Sequence, residues 1–313
     1  YLHKPVRQSD LYNALVGSSR TAPDSGILQK MPAGKINLAS ARVLLAEANL
    51  VNQEVALSML NILGGECELA ENGKQVLTIQ QQQDFDVIIM DCHMPEMDGF
   101  EAAIEIRRLE QARAGARIPI IAVTANAMQG DREVCLQAGM DDYISKPFSQ
   151  VQLAEVLQQW CGAVATGNTD QPAENTHPPE SCPQDDIETP VPHSVINQAA
   201  LDNIRQLQLP GKPDLLGKIV SLYMKDSPGL LNALREAIHQ GDAEQVRLLA
   251  HRFKSGCANL GALQLADLSK QMEDRGRNND IDDALTLLAR IDSEFRMVAA
   301  ALQAETVSGV ASG

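Results

Sequence analysis

The pattern of apolar and polar residues divides the chain into two blocks of different periodicity. In the first block, residues 38–160, short continuous apolar runs alternate with segments whose apolar residues recur every three or four positions. Continuous β-branched runs are typical of strands buried on both faces, and the three-to-four spacing is typical of helices. The five strand-like runs are RVLLA (42–46), ECELA (66–70), DVIIM (86–90), IPIIAVT (118–124) and DYIS (142–145). Strands that alternate with helices in this way predict an α/β, doubly wound, five-stranded parallel sheet.

The second block, residues 196–305, has no strand-like run and consists of helical patterns from about Gln198 onward. The expected helix interruptions are Pro210-Gly211, Pro228-Gly229, Gly241, Gly261 and Gly276. Proline and glycine are the residues that most often end a helix. This block therefore predicts an all-α, antiparallel helical bundle.

The remaining segments are expected to be linkers and a tail. Residues 161–195 are rich in Pro, Asn, Thr, Asp and Glu, without apolar periodicity, which favours a flexible linker. Residues 21–37 form a shorter linker, and 306–313 form a tail. KPVRQSDLYNAL (4–15) matches KPFSQVQLAEVL (146–157) in spacing, so we expect residues 1–20 to be the remnant of an earlier copy of the first domain.

Composition excludes some classes of function. The 313 residues carry a net charge of -15, and the pI is near 4.8, which argues against a nucleic-acid groove because such grooves are built from clustered Lys and Arg. Six cysteines without a CxxC pair indicate a reducing compartment. No apolar run approaches the roughly 18 residues of a membrane span. We expect this part of the chain to be cytoplasmic and to make no membrane contact, which is compatible with an inner-membrane anchor elsewhere in a parent protein.

Four residues that can carry chemistry lie at the carboxyl ends of predicted strands: Glu47, Asp91, Thr124 and Lys146. In a parallel sheet these ends meet at one edge. A carboxylate that accepts a phosphoryl group needs such a set: Asp91 as nucleophile, Lys146 and the Thr124 hydroxyl on the phosphoryl oxygens, and an oxygen-ligated Mg²⁺ to offset charge.

The sequence around these residues resembles a two-component receiver domain with a flavodoxin-like fold. The matching stretches are VLLAEANLVNQEVA (43–56), VIIMDCHMPEMDGFEA (87–102), PIIAVTANA (119–127) and GMDDYISKPF (139–148). The resemblance implies that Asp91 is the phosphoacceptor and that Tyr143 is a switch aromatic that reorients with Thr124. It also implies Mg²⁺ bound by Glu47, Asp91 and the backbone carbonyl of His93.

One position departs from the receiver pattern. Receivers usually carry two successive acidic residues after the first strand, but here Glu47 is followed by Ala48. Fewer anionic ligands weaken Mg²⁺ binding. Two hypotheses therefore stay open: a phosphorylated receiver, or a metal-poor receiver that docks or regulates beside an active second domain. Whether Ala48 is natural or engineered also stays open.

The second block carries a histidine on a helix with one apolar stripe. The stripe residues are Val246, Leu249, Phe253, Cys257 and Leu260. At 100° per residue His251 lies about 200° from Leu249, so we expect it to face outward. Arg247 and Lys254 flank it at helical spacing, with the small residues Ser255 and Gly256 beyond.

AHRFKSGCANLGA (250–262) resembles the histidine phosphotransfer (Hpt) domain, with Ser255 and Gly256 in the reverse of the usual order. The resemblance implies that His251 is the phospho-carrier, supported by Arg247, Lys254, Ser255 and Gly256. Together, the two domains are similar to the C-terminal part of a hybrid sensor histidine kinase. This predicts a phosphorelay from an upstream kinase domain to Asp91, then His251, then a downstream response regulator receiver.

An ATP-dependent kinase core is not expected in this sequence, because it contains no P-loop or kinase catalytic loop. A third hypothesis is an aspartyl-phosphate hydrolase of the haloacid dehalogenase type. Such enzymes have a second acid two residues after the nucleophile, where this chain has His93. That difference disfavours the hydrolase.

Overall fold

The sheet has five parallel strands in the order β2-β1-β3-β4-β5, as seen in a computed structural model that describes residues 41–113, 116–124, 129–162 and 195–310. The strands are β1 (Arg42–Ala46), β2 (Glu66–Ala70), β3 (Val87–Asp91), β4 (Ile120–Thr124) and β5 (Asp142–Ser145). The predicted segments 1–20 and 21–37 and most of 161–195 lie outside the described residues. The predicted doubly wound parallel sheet is confirmed.

Five helices cover the two faces of the sheet. They are α1 (Leu50–Leu63), α2 (Gly73–Gln80), α3 (Gly99–Arg113), α4 (Gln129–Gln137) and α5 (Gln150–Gly162). Strand residues alternate between the faces: Val87 and Ile89 join the core beneath α1 and α5, whereas Ile88 and Met90 join the core beneath α2 and α3. Burial on both faces explains why β3 and β4 are continuously apolar.

Helix α1 begins next to the candidate site because Asn49 caps it. The Asn49 side-chain oxygen accepts hydrogen bonds from the backbone N–H groups of Val51 and Asn52 at 2.9 and 3.1 Å. Such a cap satisfies donors that the first helical turn leaves unpaired. The C-terminal end of α1 is capped by Gly64, which has a φ of 83°.

The second domain is a bundle of helices, as predicted. They are α6 (Gln198–Gln206), α7 (Leu215–Gln240), α8 (Ala243–Asn259), α9 (Leu263–Arg277) and α10 (Ala284–Val310). Helix α8 packs against α7 and α9, and α10 packs against the same two helices. Within the described ranges, none of the helices combines the length and apolar character needed to cross a bilayer.

Two expected interruptions are wrong. Pro228-Gly229 lies inside α7, and Gly276 lies inside α9. Proline removes one helical hydrogen bond, but the residues that follow it, Leu230 and Leu231, are buried in the core. Tertiary packing of an apolar face stabilises a helix more than local propensity does, so the helix continues through the proline.

The two domains are in direct contact through α1, which packs against α7 and α8. The described residues of both domains belong to one compact unit, and a single apolar cluster includes buried residues of both domains, among them Val51 and Val220. This packing brings α8 and its histidine to the carboxyl edge of the sheet.

Candidate functional site

At the carboxyl edge of the sheet, Lys146 joins two carboxylates. Its Nζ lies 2.6 Å from Oε2 of Glu47 and 2.8 Å from Oδ2 of Asp91. Asp91 is the last residue of β3, Lys146 follows β5, and both carboxylates are buried. The sequence predicted that these three residues meet at one sheet edge, and the structure places them together.

The charges of this group are strongly coupled. Burial raises the pKa of Glu47 to about 6, with Asp91 adding to the rise and Lys146 opposing it. Burial alone would also raise the pKa of Asp91, but the adjacent Lys146 ammonium group outweighs burial and holds that pKa below its usual value. Asp91 is therefore an ionised carboxylate at neutral pH, as a nucleophile must be.

The other predicted receiver residues lie nearby. Thr124 is the buried last residue of β4, and its carbonyl accepts the Lys146 backbone N–H at 2.7 Å. Tyr143 is half-buried on β5 and packs against the core beneath α2 and α3, as does Ala48. Gly99 lets the loop after β3 fold back closely, since a Cβ there would lie 2.2 Å from the Asp91 carbonyl oxygen.

The residues at this edge fit Mg²⁺. The carboxylates of Glu47 and Asp91 are oxygen donors that both contact Lys146, and Mg²⁺ commonly keeps several waters beside one or two protein carboxylates. In the described residues no group of three or more His, Cys, Asp or Glu side chains is arranged to hold a metal ion. Lys146 already pairs with both carboxylates, so an ion would compete with its ammonium group.

His251 on α8 is buried, with 3% of its surface exposed, so the expected outward, solvent-exposed position is wrong in this docked arrangement. Glu273 on α9 and His93 of the receiver both lie against the His251 ring. Its Nδ1 lies 3.0 Å from Oε1 of Glu273, whereas its Nε2 is buried without a hydrogen-bond partner.

Glu273 on α9 determines which nitrogen of the His251 ring carries the proton. It is 2% exposed, and its oxygens lie 2.5 Å from Lys254 Nζ and 3.0 Å from Arg277. Burial would raise its pKa, but His251 and Lys254 lower it to about 2. An ionised carboxylate only accepts hydrogen bonds, so Nδ1 carries the proton and the lone pair of a neutral ring lies on Nε2.

The two constellations face each other across a shared cavity of about 680 Å³. The rings of His93 and His251 meet edge to face with centroids 4.7 Å apart. Burial and the nearby His251 lower the pKa of His93 to about 4, so its ring is neutral at neutral pH. The cavity lining includes Thr124 and Lys146 from the sheet and His251 from the bundle.

The predicted supporting residues of His251 take different positions. Arg247 lines the cavity and pairs with Glu244 at 2.6 Å, while Lys254 pairs with Glu273. Ser255 and Gly256 are both buried: Ser255 lines the cavity and accepts a hydrogen bond from Asn52 on the receiver helix α1, and Gly256 lies against Asn49 at the start of that helix. They therefore belong to the contact between domains.

Sequence reasoning missed several residues at this site. Glu273 lies 22 residues from His251, and nothing in the local pattern distinguishes it from a solvated acid on a helix. The sequence analysis considered only the backbone carbonyl of His93, whereas its imidazole ring lies against His251. Asn49, Asn52 and Asn259 join the two domains, and the only available signal was that two asparagines open the first helix.

Comparisons with known proteins agree with this arrangement of domains. Residues 43–158 match the family model of the response regulator receiver domain, and residues 218–305 match that of the Hpt domain. The chain is 31% identical over 268 residues to the sensor protein GacS of Pseudomonas syringae pv. syringae. It is 29% identical over 262 residues to the signal transduction histidine-protein kinase BarA of Shigella flexneri.

These matches cover 82% and 81% of this chain but only 28% and 26% of the two relatives. Among solved structures, the receiver domain of a sensor histidine kinase from Pseudomonas aeruginosa, with a magnesium ion in its active-site cleft, is 49% identical. That match covers 40% of this chain and 99% of the other, with a TM-score of 0.37.

A second structural match is a complex between the Saccharomyces cerevisiae histidine phosphotransfer protein Ypd1 and the receiver domain of the response regulator Ssk1. Its identity is 29% over 42% of this chain and 96% of the matched chain, with a TM-score of 0.41. Residues 43–158 of this chain therefore belong to the response regulator receiver domain family, and residues 218–305 belong to the Hpt domain family.

Proposed function

We propose that Asp91 accepts a phosphoryl group from the histidine of a kinase and passes it directly to His251, which passes it to an aspartate of a separate response regulator. The observation that carries this proposal is the Nε2 atom of His251, which is buried and has no hydrogen-bond partner. His251 lines the same cavity as Lys146 and Thr124. A buried polar atom without a partner is uncommon and calls for an explanation. A phosphoryl group in transit is one.

The transfer uses groups that are already in place. The Nε2 lone pair attacks phosphorus, a P–N bond forms, the P–O bond to Asp91 breaks, and the Asp91 carboxylate leaves with the bonding electrons. Lys146 stabilises that leaving carboxylate at 2.8 Å. Glu273 holds the Nδ1 proton and stabilises the positive charge that grows on the ring.

Mg²⁺, held by Glu47, Asp91 and the His93 carbonyl, would offset the negative charge of the phosphoryl group. The receiver residues do the remaining work of positioning. Lys146 and Thr124 contact the phosphoryl oxygens, and Tyr143 moves with Thr124 when the group arrives. In this proposal the receiver domain comprises residues 38–160 and the Hpt domain comprises residues 196–305.

The test is labelling of the full chain with [³²P]acetyl phosphate and Mg²⁺. Acyl phosphates are cleaved by alkali, whereas phosphohistidine is cleaved by acid, so the two labels can be counted separately. We expect both labels in the wild type, only alkali-labile label in His251→Gln, and none in Asp91→Asn. If Asp91→Asn labels His251 at the wild-type rate, the internal relay is wrong.

A second candidate function follows from Ala48: a metal-poor receiver that docks on the Hpt domain and regulates it. Restoring the acid with Ala48→Asp distinguishes the two. If the receiver is active but weak, Ala48→Asp should tighten Mg²⁺ binding about tenfold in calorimetric titration and speed labelling of Asp91. If the wild type takes no label and Ala48→Asp does, the docking function is favoured.

A further inference from the structure

We infer that Asn49, Asn52 and Asn259 are specificity-determining residues that match this receiver to this Hpt domain. These three residues, with Ser255 and Gly256, are here called the asparagine clamp. The inference rests on the proposed function but concerns partner choice: the clamp favours transfer between this pair over transfer with a receiver of different sequence.

Asn52 is the centre of the clamp. Its Nδ2 donates to Oγ of Ser255 at 2.7 Å, and its Oδ1 accepts from Nδ2 of Asn259 at 2.7 Å. Asn52 is 5% exposed, so both ends of its amide group are satisfied away from solvent. An amide is the side chain that can donate on one side and accept on the other in this way.

Asn49 requires a close approach between the start of α1 and the backbone of α8. Its Oδ1 caps α1 while its Nδ2 donates to the backbone carbonyl of Arg252 on α8 at 2.8 Å. A Cβ added at Gly256 would lie 3.1 Å from that Nδ2. The residue at position 256 must therefore be small enough for Asn49 to reach the helix.

The clamp explains the reversed Ser255-Gly256 order. With glycine first, Asn52 would lose its acceptor at position 255. With serine second, the new side chain would crowd Asn49. The order of the two small residues on α8 thus matches the two asparagines on α1.

These contacts select a partner because they are costly to lose. Apolar packing around α1 is non-directional and tolerates any receiver of similar shape. A receiver with an apolar residue at position 52 would instead bury Ser255 and Asn259 without their partner, a loss larger than the bonds contribute when made. Glu54 and Lys218 also pair across the joint at 2.6 Å, but Lys218 is exposed, so that pair adds little selectivity.

Transfer between two full chains tests the clamp. The donor carries His251→Gln, together with Ser255→Ala and Asn259→Ala to remove the partners of Asn52 within the donor itself, and is labelled at Asp91 with [³²P]acetyl phosphate; the acceptor carries Asp91→Asn. Adding Asn52→Ala to the donor should lower kcat/KM of transfer about tenfold, while Asn61→Ala, an exposed asparagine on the same helix, should leave it unchanged. With Ser255→Ala in the acceptor, Asn52→Ala should cost less than threefold further, because the shared bond is already gone.

Equal kcat/KM for the Asn52→Ala and Asn61→Ala donors would overturn the inference. So would the finding that Asn52→Ala lowers kcat/KM by the same factor whether or not the acceptor carries Ser255→Ala. Failure of the proposed relay looks different, since no donor would then pass its label to any acceptor. Equal labelling of Asp91 in each donor confirms that the receiver itself is intact.

A second measurement does not depend on phosphoryl transfer. Docking buries His251, so its modification by diethyl pyrocarbonate in the full chain, read by mass spectrometry, reports how often the domains separate. Asn52→Ala and the exchanged pair Ser255→Gly with Gly256→Ser should each speed modification of His251 about tenfold, with exposed His239 as an unchanged internal reference. Unchanged modification of His251 in both variants would refute the clamp.

Discussion

Replacing Glu273 with glutamine should slow transfer of the phosphoryl group from Asp91 to His251. The substitution keeps the size of the side chain and an oxygen that can accept from Nδ1 of His251, but it removes the negative charge. That charge lies 3.0 Å from His251 and 2.5 Å from Lys254, on a side chain that is buried.

The magnitude follows from the change in the Nδ1 hydrogen bond. A hydrogen bond to a charged acceptor contributes about 1.5 to 3 kcal/mol, and one between neutral groups about 0.5 to 1.5 kcal/mol. The difference, about 1.5 kcal/mol, applies when positive charge develops on the ring during attack. Each 1.4 kcal/mol on the barrier is about tenfold in rate, so we expect roughly a tenfold slower transfer.

The assay is a rapid-quench time course on the full chain after labelling of Asp91, with alkali-labile and acid-labile phosphate counted at each time. Glu305→Gln is the matched control. It makes the same chemical change and breaks an ion pair with Arg205 in the same bundle, but that pair does not contact His251. Glu273→Asp, which keeps the charge, should recover part of the rate. Wild-type kinetics in Glu273→Gln, or equal slowing in Glu305→Gln, would refute the role of the charge.

Three further outcomes are expected. Lys146→Met should lower the free energy of unfolding of the receiver by about 3 kcal/mol in urea titration at neutral pH, because it leaves two buried carboxylates without their cation; an unchanged midpoint would contradict this. Gly99→Ala should abolish labelling of Asp91, since its Cβ would overlap the Asp91 carbonyl, while Gly229→Ala, with open space around it, should be neutral or stabilising. The pKa of Glu273 is lowered from 4.5 to about 2, so its stabilisation is complete above about pH 4.5 and is lost as pH falls toward 2; acid titration of stability should be steeper in the wild type than in Glu273→Gln, and identical slopes would count against the ion pair.

Local pattern determined most of the receiver. The runs at 42–46, 66–70 and 142–145 are strands with the predicted bounds. The first is buried on both faces and therefore continuously apolar, whereas the edge strands at 66–70 and 142–145 are partly exposed and were predicted from their places between helical patterns. The meeting of Asp91 and Lys146 was also predictable, since parallel strands bring their carboxyl ends to one edge whatever the details of packing.

Helix limits were less accessible to sequence reasoning. Pro228 and Gly229 predicted an interruption, yet α7 runs from Leu215 to Gln240. Helix α10 likewise continues past residue 305 to Val310. Propensity describes a helix in isolation, whereas in the fold the buried Leu230 and Leu231 keep α7 helical beyond the proline.

The sequence by itself determined where Asp91 and His251 lie within their own domains, because the strand ends and the apolar stripe of α8 fix those positions; that these two residues carry the chemistry stays a prediction. Only the tertiary structure decided what surrounds them. The partner of Nδ1 lies 22 residues away on another helix, and the contact between Asn52 and Ser255 spans 203 residues. Periodicity tells which face of a helix is apolar, but it holds no information about which surface comes to cover the opposite face. That depends on the complementarity of two folded domains.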